Sequence, residues 1–90
     1  MANAEVKHVN PEFHLDQDST AEDLYRVGLV YSTGSGVPAD YVLAHKYFNL
    51  AALRGYADAK QSRKELSEYM SSEEIAEAQK ADREWLKLAN

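Results

Sequence analysis

The chain has ninety residues, no cysteine and a net charge of −5. A chain of this size makes one small domain and buries roughly 60–65% of its unfolded surface, so modest stability is expected. Without cysteine there is no disulfide frame and no thiolate metal site. No apolar run approaches the ~18 residues needed to span a bilayer, and no Lys/Arg stripe marks a nucleic-acid footprint. The charge is uneven: residues 1–40 hold seven acids and two bases, whereas residues 41–90 hold eight of each. The excess acid therefore sits in the N-terminal part.

Residues 1–18 are polar, with Asn10-Pro11 and scattered apolar positions at Val6, Val9, Phe13 and Leu15. They read as a flexible tail; the alternative is an extended segment whose Phe13 and Leu15 dock on the first helix. The N-terminus has no apolar h-region, so no export signal is visible and a cytoplasmic location is expected, or a periplasmic one if a signal has been removed. Leu24, Val27, Gly28 and Tyr31 then fall on one face of a helix. Ser19 or Thr20 can cap its start, and Glu22 stands three residues after Ser19 as a capping box requires. Gly34-Ser35-Gly36 and Pro38 end this helix near Thr33, and Asp40 caps the next.

The second helix, 41–54, places Ala44, Phe48, Ala51 and Ala52 along one side, with Gly55 where a left-handed residue is wanted. Gly28 is costly in mid-helix, by about 1 kcal/mol relative to alanine. Small residues opposite would let the two backbones approach, which makes an αα-hairpin. A third helix is expected over 58–69, with Ala59, Leu66 and Met70 inward and Lys60, Lys64 and Glu68 outward. Ser71-Ser72-Glu73-Glu74 opens a fourth helix, which runs to about Leu88. Ile75, Ala78, Trp85, Leu86 and Ala89 share one side of it.

Leu24 to Ala59 resembles a Sel1-like repeat, the TPR-related solenoid unit of bacteria and eukaryotes. Gly28, Tyr31, Gly34, Gly36, Val37, Asp40, Ala44, Ala51, Ala52, Gly55 and Ala59 occupy that pattern's positions. Val27 replaces its Leu, Leu43 its Lys, Tyr47 its Trp and Phe48 its Tyr, and Asp23 departs from its opening Ala. A second copy would begin at Ala59 but fails at once, because Arg63-Lys64 stand where Leu-Gly belongs. The resemblance implies an all-α fold, a short TPR/Sel1-like solenoid of about four helices in antiparallel hairpins. Its parts are a tail (1–18), a repeat hairpin (19–57) and a C-terminal capping hairpin (58–90), since solenoid ends need caps.

Candidate chemistry is thin. Glu5-x-x-His8 has metal-motif spacing but occurs once, in the tail. His45 reads as a partly exposed surface histidine. Gly34-Ser35-Gly36 leaves a helix rather than a strand and lacks the Lys-Ser/Thr of a phosphate loop. No nucleophile–base–orienter set is present, and no cofactor is called for. The aromatics say more. Tyr31, Phe48 and Trp85 have core spacing, whereas Tyr25 and Leu29 lie on a side of the first helix that the core does not need. Glu22, Arg26 and Thr33 share that side, which lines the partner groove in Sel1-like and TPR proteins.

The resemblance therefore implies a non-catalytic protein–protein interaction module, an adaptor or regulator binding a peptide or helix. Glu22, Tyr25, Arg26 and Leu29 are its expected contact residues, and Tyr56, Lys60 and Lys64 on the third helix the alternative. The acidic N-terminal part favours a partner that is basic where it meets it. Rival readings are a homodimer whose groove is filled by its twin, and a small metal protein using His8, His14 and His45.

Overall fold

The computed structural model describes residues 15, 16 and 18–88. They form four helices: α1 (Ala21–Thr33), α2 (Tyr41–Leu53), α3 (Ala57–Ser67) and α4 (Ser72–Lys87). There is no strand among the described residues.

Each boundary has a local cause. Thr20 caps α1: its hydroxyl accepts from the Asp23 amide (3.1 Å), and Asp23 returns a bond to the Thr20 amide (3.3 Å). The expected Ser19–Glu22 box thus moves on by one residue. Ser19 is occupied upstream, its hydroxyl accepting from the Asp16 amide at 2.9 Å. That turn precedes Thr20, and Leu15 packs against the core. Phe13 and the rest of the tail lie outside the described residues. At the far end of α1, Gly34 adopts φ 72° and its amide reaches the Val30 carbonyl at 2.9 Å. The Asp40 amide bonds the Tyr31 carbonyl (3.0 Å), while its carboxylate caps α2 through the Leu43 amide (3.1 Å).

α2 closes in a Schellman turn. Gly55 sits at φ 95° and donates to the Ala52 carbonyl, and Tyr56 donates to that of Ala51, both at 3.0 Å. α3 stops two residues short of the expected end, and Met70 still reaches the core. Ser71 and Glu74 form the expected box at the start of α4.

The helix that organises the packing is α2. It meets α1, α3 and α4, and the last two pack principally on it rather than on each other. Its buried residues, Ala44, His45, Tyr47, Phe48, Leu50 and Ala51, point around most of its circumference. The expectation of one inward side with Ala52 on it is corrected: Ala52 is half-buried, and Tyr47 and Leu50 are core. α3 and α4 thus clasp α2 from two directions.

α1 approaches α2 at Gly28. A Cβ there would lie 2.6 Å from two ring carbons of Phe48 and 3.3 Å from the Ala44 carbonyl oxygen. Phe48 is 2% exposed, so moving its ring disturbs the core packing around it. Gly28→Ala is therefore expected to destabilise the fold by roughly 1–3 kcal/mol through overpacking, against the gain of about 1 kcal/mol that helix propensity alone offers. Urea denaturation reads the sign directly.

A groove between the first and third helices

α1 and α3 both lean on α2 and leave a groove between them of about 250 Å³. Leu29 and Ser32 of α1 form one wall. Ser62, Glu65 and Leu66 of α3, with Tyr69 just beyond it, form the other, while Tyr41 and Phe48 come from α2. Phe48 and Leu66 are buried and make an apolar floor, whereas Leu29 (39%), Tyr41 (39%) and Tyr69 (76%) remain exposed. An apolar floor under accessible aromatic groups is the usual build of a binding groove.

The expected contact residues do not all reach this groove. Leu29 lines it. Tyr25 is half-buried and committed to the fold: its ring packs on Tyr56 (4.7 Å) and Phe48 (5.5 Å), and its hydroxyl is hydrogen-bonded to Ser62 at 3.0 Å. The expectation that the core does not need Tyr25 is thereby corrected. Tyr25 bridges α1 to α3, and its truncation would disturb the groove wall itself. Arg26 pairs with its own helix, with Asp23 at 3.3 Å and Glu22 at 3.7 Å, all well exposed. Such pairs are worth little, and neither Glu22 nor Arg26 lines the groove. Of the alternative set, Tyr56 stacks on Tyr25, while Lys60 and Lys64 are exposed on α3 outside the lining. Tyr41, Glu65 and Tyr69 were missed. Tyr41 reads as the first residue after a cap, and Tyr69 falls in the turn after α3, so neither belongs to a periodic stripe.

A buried polar seam joins α2, α3 and α4. His45 is 3% exposed, which corrects its expected place on the surface. The Ser67 hydroxyl donates to the Arg63 carbonyl (2.8 Å) and so accepts from His45 Nε2–H (3.1 Å). Burial, and then the positive charge of Arg63, hold the imidazole below its usual pKa. Asp82, also 3% exposed, takes the inward place expected of Leu86, which is 42% exposed. Its carboxylate accepts from Asn49 Nδ2, and Asn49 Oδ1 accepts from Arg63. Burial raises the Asp82 pKa to about 7, opposed by the Asn49 bond and the charges of Lys46, Arg63 and Arg83. His8 and His14 lie outside the described residues, as does Ala89. Among those described, no group of three His, Asp or Glu side chains could hold a metal, and no helix is long and apolar enough to cross a membrane.

The Sel1 repeat family model matches residues 21–56, from the first turn of α1 to the Schellman turn that closes α2. This segment is similar to a Sel1 repeat. Such repeats generally mediate protein–protein interaction. In this chain the repeat supplies Leu29, Ser32, Tyr41 and Phe48 to the groove, and α3, beyond the match, supplies the opposite wall. Searches of curated proteins and of solved structures gave no significant match to the chain.

The seam gives stability a pH dependence of defined sign. Asp82 keeps its proton in the folded state up to about pH 7 but loses it near the ordinary carboxylate value, about 3.9, when unfolded. The folded state binds the extra proton in between, so this term falls as pH rises from about 4 to 7 and stays low above. Neutral His45 acts oppositely, its contribution being lost as pH falls below about 6.5. Asp82→Asn, which cannot ionise, is expected to raise the melting temperature more at pH 8 than at pH 5, where only part of this term has been lost. Each 1 kcal/mol relieved appears as about 4–8 °C. An equal shift at both pH values contradicts this account.

Proposed function

We propose that this chain is a non-catalytic adaptor or regulator that receives a peptide or helix in the groove between α1 and α3. The observation that carries the reading is the exposure of Leu29, Tyr41 and Tyr69 around the floor formed by Phe48 and Leu66. Side chains held in place by a rigid core lose little entropy on binding, and tyrosines are favoured as binding anchors for that reason. The buried titratable groups, His45 and Asp82, lie in the seam between helices and line no part of the groove. Their partners are structural, which favours a binding module over an enzyme.

The test is an NMR titration of the labelled chain with peptides selected from a random 12-residue display library. Amide shifts are expected to concentrate on Leu29, Ser32, Tyr41, Glu65 and Tyr69. Leu29→Glu, at an exposed position, is expected to leave the fold intact and to weaken binding by roughly 2 kcal/mol, as loss of an anchor does. Shifts confined to α4, or undiminished binding by the folded variant, place the interface elsewhere.

A further inference from the structure

The groove's polar groups differ in how far they are already spent. The Ser32 hydroxyl donates to the Leu29 carbonyl at 3.0 Å, and that of Ser62 is paired with Tyr25. Glu65 is the acidic side chain of the lining; it is exposed, and Gln61 donates to one of its oxygens at 3.0 Å. Lys60 and Lys64 lie outside the lining. Tyr69 follows Glu65 by four residues, in the turn after α3. Tyr41 lines the groove from α2 with its ring partly open to solvent. One groove thus combines a carboxylate with two partly exposed tyrosine rings, and both kinds of group attract a cation. A second recess, lined by Ala39, Asp40, Tyr41, Val42 and Glu74, has no buried apolar residue to serve as a floor, and its two carboxylates cap helices.

Resting on the groove reading above, the geometry points to a partner protein whose docking segment carries an arginine or lysine beside an apolar anchor. The apolar side chain sits on Phe48 and Leu66 against Leu29, and the cation lies by Glu65 with Tyr41 and Tyr69 about it. Arginine fits better than lysine, because a planar guanidinium can stack on a ring while its N–H fork meets a carboxylate. An acidic or purely apolar segment is disfavoured, since it would leave Glu65 repelled or covered without a counter-charge.

The experiment selects a random 12-residue displayed peptide library on three baits: the native chain, Glu65→Lys and Leu29→Glu, each confirmed as folded by circular dichroism. Peptides taken by the native chain are expected to be enriched in Arg or Lys next to a large apolar residue. Replacing that Arg by Gln in a selected peptide is expected to cost roughly three- to tenfold in affinity, the scale of an exposed ion pair plus a cation–π contact. Glu65→Lys is expected to lose the basic enrichment. Apolar enrichment without Arg or Lys, or the same basic enrichment on Glu65→Lys, overturns the inference about the partner and leaves the groove reading standing. No enrichment on the native chain, or enrichment indifferent to Leu29→Glu, overturns both.

Discussion

The close approach of α1 to α2 at Gly28 is the constraint from which the rest of the arrangement follows. The missing Cβ lets the Phe48 ring lie against the α1 backbone, and Phe48 in turn forms the floor of the groove. Tyr25, one turn earlier on α1, packs on the same ring and carries the contact to α3 through Ser62. Gly28, Phe48, Tyr25 and Ser62 therefore form one chain of contacts that sets the distance between the two groove walls. A shift at the crossing would be felt at the rim, because packed interiors transmit strain rather than absorb it.

The second consequence is the burial of α2 on several sides. A lone hairpin would leave the face of α2 opposite α1 open to water. Here α3 and α4 cover it, and the polar seam is paired in part, with His45 Nδ1 and Asp82 Oδ1 left without a hydrogen-bond partner. His45 finds Ser67, and Asn49 links Arg63 of α3 to Asp82 of α4. Buried polar groups of this kind cost more than they return unless each is paired. Their value lies in fixing which way α3 and α4 sit on α2. Stability is thereby tied to the protonation of Asp82 and His45.

Much of this was legible in the sequence. Caps, glycine positions and helical periodicity are local signals, and they place α1, the loop and α2 to within a residue or so. Gly28 announced a close crossing by its cost. The expectation rested on small alanines, of which Ala44 does meet Gly28; what the sequence did not reveal is the Phe48 ring that lies closer still. His45 and Asp82 were hidden for a related reason. Polarity marks a residue for the surface unless tertiary partners are known, and theirs lie on other helices. The groove was half legible. Leu29 follows from its place on α1, but Tyr25 has the same apparent exposure on a helical wheel and is claimed by Tyr56 and Ser62. Tyr41 and Tyr69 stand at a helix start and in a turn, where periodicity carries no information.

The central claim, that the Gly28–Phe48 contact seats α1 on α2, is tested most directly by a double-mutant cycle. Stability is measured for the native chain, Gly28→Ala, Phe48→Leu and the double variant. If the ring is what the added methyl meets, Gly28→Ala should cost much less in the Phe48→Leu background, and the two changes should couple by roughly 1 kcal/mol or more. Additive effects, with Gly28→Ala equally costly in both backgrounds, would contradict the account.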